Sequence, residues 1–292
     1  MRLHVETAPA EIYLKLENLQ PVNSFKIRGA TNAIMLAPAT ERAKGLVTAS
    51  AGNMAQGVAW AARALGVPAT IVVPEHAPEA KLAAIKRLGG RVLKLPYDDW
   101  WNVIVSSHVD GIEGLFVHPV QDAGVMAGNG TIGLEILEDL PDPDAVVIPY
   151  GGGGLTVGIA SAIRALTPDT KIFTAELETG AALAAAFAAG HPAEVDYRAS
   201  FVDGSGSRRV LDSMWRLVAP LVDGALAIPV AEVAAAVRVL AERARVIAEG
   251  AGALAPAAAL GGRPGPGKIV CVVSGGNINL SKVAEILNGA AG

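Results

Sequence analysis

Lys26 lies in the run ENLQPVNSFKIRGA (Glu17 to Ala30), where an alternating strand ends in a turn and a helix begins. A cation in the first turn of a helix opposes the helix dipole. That field, together with desolvation, lowers the amine pKa and favours the neutral form. A neutral amine can attack an aldehyde to form a Schiff base. Taken alone, such a lysine is most often an ordinary surface residue. A second feature gives it company: Gly151-Gly152-Gly153-Gly154 follows the apolar run Val146 to Tyr150 and opens a helix at Leu155. Glycines let the backbone approach a ligand closely, and a helix start offers unpaired N–H groups that suit a phosphate. A third, Ser50-Ala51-Gly52-Asn53-Met54-Ala55-Gln56-Gly57, is another strand-to-helix turn, with a hydroxyl and an amide side chain added. A substrate carboxylate fits it, although a capped helix start needs no ligand. A fourth, Ser274-Gly275-Gly276-Asn277, ends the run Ile269 to Val273. In open α/β sheets ligands bind at the carboxyl ends of strands, so three such turns can converge on one cleft.

A dinucleotide site is the main rival for the glycine turn and needs G-x-G-x-x-G. Both frames fail, at Thr156 and at Val157, though Glu176 ends the next strand where a ribose-binding acid would stand. A phosphate-binding loop of the nucleotide-hydrolase type fails too, because no Gly-Lys-Ser/Thr follows.

Elements must place these residues. Ile12, Leu14 and Leu16 alternate with polar neighbours and predict a strand. Ser24 is the expected cap of the helix that carries Lys26 to about Leu36. Beyond that, the patterning predicts strands over 45–49, 70–74, 91–95, 115–117, 145–149, 171–175, 225–230 and 269–273. It predicts helices over 53–65, 79–88, 99–109, 131–140, 155–166, 181–189, 210–218, 231–248, 252–260 and 281–287. The Gly- and Asp-rich stretch before Thr131 reads as a loop, and 190–207 as irregular. Repeated β-α units with apolar strands imply parallel sheets covered on both faces. About ten strands imply two sheets and two lobes.

Composition narrows the function classes. The 292 residues are 51% hydrophobic, enough to bury a sizeable core, but only 4% aromatic, so that core is built from Ala, Val, Leu and Ile. The net charge of −4, without a Lys/Arg cluster, speaks against a nucleic-acid partner. The single Cys271 rules out an intrachain disulfide framework and reads as a buried structural thiol in a reducing compartment. No run reaches the roughly 18 apolar residues of a membrane span; the stretch Gly250 to Leu260 is short and broken by Pro256. The N-terminus lacks a signal-peptide core, and nothing follows the last helix that would form an appended regulatory domain. The expectation is a cytoplasmic protein without membrane or nucleic-acid partners.

Five motifs occur in order: Asn18 through Ala30, Ser50 through Gly57, Gly151 through Leu155, Glu249 through Ala253 and Ser274 through Ile278. In these, over nearly its whole length, the chain closely resembles the fold type II pyridoxal phosphate enzymes, the family of threonine dehydratases and serine racemase. The resemblance implies an α/β fold of the tryptophan synthase β-like kind, with two lobes, each an open, mostly parallel sheet flanked by helices. It places a large cofactor-binding domain at 1–47 plus 122–292 and a small domain carrying the substrate loop at 48–121, with the site between them. It implies pyridoxal 5'-phosphate as cofactor and a homodimer as the assembly. Carried over by residue, Lys26 forms the internal aldimine and shuttles protons, and Phe25 packs against the ring. Asn53 binds the ring's phenolic oxygen, and Gly151, Gly152, Gly153 and Gly154 with Leu155 cradle the phosphate. Ser274 faces the pyridine nitrogen, Glu249 lies near the ring, and Ser50, Ala51, Gly52 and Asn53 bind the substrate carboxylate.

The departures from the family carry information. Serine racemase has a second Ser where this chain has Ala51, so one-base chemistry is expected here. The family's divalent-metal site is matched only at Glu176, its later acidic ligand falling at Ala182, so no metal is expected. Val120 follows His118-Pro119 where the family often has a polar group. The paired Arg208 and Arg209 are unusual and read either as solvated loop or as contacts to a polar substrate tail. The chain also starts almost at its first strand, without most of the family's usual N-terminal segment. The expected activity is β-elimination from L-threonine, L-serine or a related β-hydroxy amino acid, giving a 2-keto acid and ammonia. The alternatives are a serine racemase, a hydroxyaspartate lyase, or a cofactor- or amino-acid-binding protein without turnover.

Overall fold

In a computed structural model, described over residues 1–289, the alternation at Ile12 and Leu14 is realised as a strand that buries both side chains. A short β1 (Arg2–Leu3) pairs antiparallel with that strand, β2 (Glu11–Leu16). Both belong to the first of two compact units, formed by Met1–Ser24 and the chain from Gly130 onward; the second is Phe25–Asn129.

The second unit opens with α1 (Lys26–Leu36) and α2 (Ala39–Ala43). It continues through β3 (Leu46–Ala49), α3 (Asn53–Leu65), β4 (Ala69–Pro74) and α4 (Glu79–Arg87). Then come β5 (Arg91–Leu95), α5 (Tyr97–Ser106), β6 (Leu115–Phe116) and the start of α6 (Ala123–Asp139). The four strands form a parallel sheet in the order β5-β4-β3-β6. Alternate residues serve its two faces. Leu46, Ile71 and Val73 pack with Ile34, Val58, Leu82 and Ile85 on one side. Val47, Ala49 and Val72 pack with Val103 and Val109 on the other. A sheet buried on both faces explains why these strands read as continuous apolar runs. The sequence-based boundary at 48 leaves α1 with the larger domain; here α1 packs against α3, so closely that a Cβ on Gly57 would sit 3.1 Å from the Lys26 carbonyl.

Two expectations fail in this region. The stretch read as a loop before Thr131 is helical from Ala123. Its glycines mark a close helix contact: a Cβ on Gly128 would lie 2.6 Å from the Arg28 carbonyl, and one on Gly124 3.0 Å from Ala33 Cα. The Asp122 carboxylate accepts the Gly124 and Val125 N–H groups at 2.7 and 3.1 Å and caps this helix. Ser24 does not cap α1, whose N-cap position is Phe25 without a side-chain bond. Ser24 instead bridges to Gly275 within the first unit, and its hydroxyl is buried without a partner.

The first unit resumes after α6 with β7 (Ala145–Pro149), α7 (Gly154–Leu166), β8 (Lys171–Leu177) and α8 (Ala182–Ala189). It continues with α9 (Asp212–Val218), β9 (Gly224–Ile228), α10 (Val230–Val239), α11 (Gly250–Leu260), β10 (Lys268–Val273) and α12 (Leu280–Leu287). The sheet order is β1-β2-β10-β7-β8-β9, parallel from β2 onward. Ala145, Val147, Ile269 and Cys271 pack with the small residues Ala253, Ala257 and Ala258 of α11. This is how a core poor in aromatic side chains reaches close packing. Burial holds the Cys271 thiol protonated, and it donates to the Ala255 carbonyl. The helix predicted over 231–248 ends earlier: after α10 a π-helical turn spans Leu240–Ala244, and Arg245 takes a left-handed φ of 58°. No described helix is long and apolar enough to cross a membrane.

Candidate active site

In the second unit, Lys26 is the first residue of α1, whose first turn holds no acid. Its Nζ donates to the Pro119 carbonyl at 2.8 Å and stands 5.2 Å from the centre of the Phe25 ring. Burial lowers its pKa to about 8. The Pro119 carbonyl is presented by a turn that His118 organises, with Nδ1 accepting the Val120 and Gln121 N–H groups at 3.0 and 2.9 Å. Burial keeps the pKa of His118 below its ordinary value, which suits that accepting role.

Ser50, Ala51, Gly52 and Asn53 join β3 to α3. The Ser50 Oγ accepts the Gly52 N–H at 3.2 Å. Gly52 occupies the N-cap position without a side-chain bond, and a Cβ added there would meet nothing within 4 Å. The turn thus leads, with room beside Gly52, into a 13-residue helix, and a helix start suits a carboxylate.

The first unit supplies the glycine turn. Gly153 takes a φ of 96° and Gly154 begins α7, again without a side-chain cap. Gly153, Gly154, Leu155 and Thr156 are buried. The Thr156 hydroxyl, on the third residue of the helix, is buried with no hydrogen-bond partner. On the neighbouring strand, Ser274 is buried directly after β10. The Gly275 carbonyl accepts the Glu249 N–H at 3.0 Å, Glu249 being the N-cap residue of α11. Gly204 ties the two turns together. Its carbonyl lies 2.7 Å from where a Cβ on Gly151 would stand, and its own Cβ would lie 4.0 Å from Glu249 Oε1. The structure thus gathers Gly151 to Leu155, Glu249 and Ser274 at the carboxyl ends of adjacent strands β7 and β10, within one unit. Lys26, Phe25 and Ser50 to Asn53 lie in the other.

Glu176 lies near the end of β8, the strand next to β7, close enough to Tyr150 that, after burial, its charge helps raise the tyrosine's pKa. Its carboxylate accepts the Leu183 and Ala184 N–H groups at 3.0 and 2.9 Å and so caps α8, while burial raises its pKa to about 7. Ala182 contributes no donor atom. Among the described residues no group of His, Cys, Asp and Glu is placed to hold a metal ion. Arg209 pairs with Asp212 at 2.8 Å, on the reading of a solvated loop. Sequence reasoning missed the Pro119 carbonyl and the Thr156 hydroxyl. Only Thr156 left a local signal, a hydroxyl two residues after the last glycine of the turn.

Residues 2–275 match the family model described as "Pyridoxal-phosphate dependent enzyme". The chain is 42% identical over 286 residues to an L-threonine ammonia-lyase of Thermotoga maritima, with 97% of this chain and 71% of that one covered. It is similar to the crystal structure of a threonine deaminase from T.th., at 32% identity and a TM-score of 0.88, over 96% of this chain and 92% of that one. It is similar also to maize serine racemase, at 31% identity and a TM-score of 0.88, over 97% and 88%. The donor set here suits the cofactor named in that family description. The start of α7 behind a glycine turn, whose N-cap glycine makes no side-chain bond, and an unpartnered buried hydroxyl match a phosphate monoester, and a desolvated lysine matches an aldehyde.

Proposed function

This chain belongs to the pyridoxal-phosphate dependent enzyme family, and from that premise we propose that it is an ammonia-lyase of the threonine/serine dehydratase kind. It removes the β-hydroxyl of L-threonine, L-serine or a related β-hydroxy amino acid and releases a 2-keto acid and ammonia. The relatives named for threonine support this reading. The observation that carries it is the Lys26 amine, desolvated to a pKa of about 8 with no acid in its helical turn.

When bound, pyridoxal phosphate supplies an aldehyde for amine capture and a ring that withdraws electrons from the substrate Cα. Lys26 anchors it and moves the Cα proton, its Nζ starting from the Pro119 carbonyl. Gly151 to Gly154 and Leu155 hold the phosphate by their backbone, with the Thr156 hydroxyl as a further donor. On the family's pattern, Phe25 would pack on the ring, Asn53 would bind its phenolic oxygen, and Glu249 would lie near it. Ser50 to Asn53 bind and orient the substrate carboxylate. Ser274, being neutral, does not enforce a protonated ring nitrogen as an Asp would. The weaker electron sink favours prompt loss of the β-hydroxyl over transamination. Ala51 carries no group that moves a proton, so a single base, Lys26, serves the reaction. We place this enzyme in the cytoplasm as a homodimer; the lone, buried Cys271 supports a reducing compartment.

Racemisation of serine is the second reading, favoured by the likeness to maize serine racemase and opposed by Ala51. Screening β-hydroxy amino acids for ammonia release, with chiral analysis of the remaining substrate, separates the two. The reconstituted protein should show a visible absorbance band that Lys26→Ala abolishes, and should release ammonia without accumulating D-serine. A protein that takes up no cofactor when it is supplied would overturn the assignment.

A further inference from the structure

We propose that Ser205 is a positioning residue for the glycine turn, fixing its backbone before the cofactor arrives. The inference rests on the reading that Gly151 to Gly154 hold the cofactor phosphate. Ser205 is only 3% exposed. Its Oγ donates to the Tyr150 carbonyl at 2.5 Å. Tyr150 is the last residue before the turn, and its own N–H is tied to the Ala175 carbonyl on β8 at 2.8 Å. Both backbone polar groups at the entrance to the turn are therefore committed, one to the sheet and one to Ser205.

The segment that delivers Ser205 cannot easily retreat. A Cβ on Gly204 would lie 2.8 Å from the Ala251 Cβ on α11, so the backbone there is seated against that helix. Downstream, the Ser207 N–H donates to the Gly180 carbonyl at 3.0 Å. Tyr197 closes over the same place: its ring carbons lie 2.7 Å from a Cβ on Gly180 and 3.2 Å from one on Gly206. From this anchored segment, the Gly204 carbonyl presses on Gly151 while Ser205 holds the carbonyl before it. Gly153 is backed separately, by Met214 Cε and the Tyr150 hydroxyl at 3.0 and 3.1 Å from its added Cβ. A turn of four glycines is otherwise the most conformationally free stretch in the chain. Clamping it lowers the ordering cost that the phosphate would meet on binding.

Removing the Ser205 hydroxyl leaves the buried Tyr150 carbonyl without this donor and frees the entrance of the turn. The test compares pyridoxal phosphate with pyridoxal, which lacks the phosphate, as ligands of the cofactor-free full chain. Wild type should bind pyridoxal phosphate much more tightly. In Ser205→Ala the pyridoxal phosphate Kd should rise about tenfold, with the pyridoxal Kd unchanged and the phosphorus resonance of the bound cofactor shifted. Ser205→Cys, a weaker donor of similar size, should give a smaller change in the same direction. An unchanged pyridoxal phosphate Kd in Ser205→Ala, or equal losses for both ligands, would refute the positioning role while leaving the proposed function standing. If wild type does not discriminate between the two ligands, the assignment of the glycine turn to the phosphate fails, and the role of Ser205 with it.

Discussion

Replacing Lys26 by methionine should stabilise the cofactor-free protein at neutral pH, and the gain should disappear in alkali. The Lys26 pKa falls from 10.5 to about 8, with burial as the cause. At about 1.4 kcal/mol per unit, the charged amine costs the folded state about 3 kcal/mol. The sign follows from linkage: the folded pKa is the lower one, so the unfolded chain holds the proton more tightly. The full penalty therefore applies below about pH 8, shrinks as pH rises toward 10.5, and is absent above it. Methionine has a similar reach and no charge, but it forfeits the bond to the Pro119 carbonyl at 2.8 Å, worth about 1 kcal/mol. Lys26→Met should then be about 2 kcal/mol more stable than wild type near neutrality, and about 1 kcal/mol less stable in strong alkali. Urea denaturation of both cofactor-free proteins across this range reads the difference directly, and other titrating groups cancel between them. A difference that stays constant from neutrality to about pH 10.5 would show that the amine is not depressed, and would remove the main support for its chemistry.

Two further perturbations separate structure from function at the neighbouring groups. Thr156→Val removes the buried, unpartnered hydroxyl. It should stabilise the cofactor-free protein by about 1 kcal/mol while weakening pyridoxal phosphate; denaturation and cofactor titration should move in opposite senses, and a fall in both would assign the hydroxyl a partner within the protein. Glu176 has its pKa raised to about 7 by burial, so its contribution is full at acid pH and lost as pH rises through that value. Wild type should therefore lose stability relative to Glu176→Gln between about pH 4.5 and pH 7, and parallel unfolding curves would refute the reading of a carboxyl whose ionisation burial opposes.

What the sequence made legible follows from where each signal resides. β2 and the apolar strands were legible because period-two alternation and unbroken apolar runs are local patterns. The second half of helix α6 was legible too, but its first half was not: Gly124 and Gly128 look like breakers until the Ala33 backbone and the Arg28 carbonyl are seen to occupy the space a side chain would need. Ser24 has the chemistry of a cap, but its pairing with Gly275 decides its place, and that partner is distant in sequence.

The site divides along the same line. Lys26, Asn53 and Gly154 each begin a helix, and Glu249 is the N-cap of another. A strand-to-helix turn is a short, local device, so Lys26, Asn53 and Gly154 could be singled out from sequence as candidates, whereas Glu249, which follows a π-helical turn and no strand, was named only through the family resemblance. The tuning of these residues could not be read from sequence. The Pro119 carbonyl that holds Lys26 and the Ser205 hydroxyl that holds Tyr150 come from far along the chain. Lys26 shows the consequence most sharply. Read from sequence, part of its lowered pKa falls to the helix dipole; in the structure burial lowers it to about 8. Glu249 at the head of α11 is a carboxylate where the dipole favours it; Lys26 at the head of α1 is a cation where it does not. The dipole makes a lysine misplaced there, but only the surrounding packing strips the amine of water, and it is the stripped amine that can act as a base at ordinary pH.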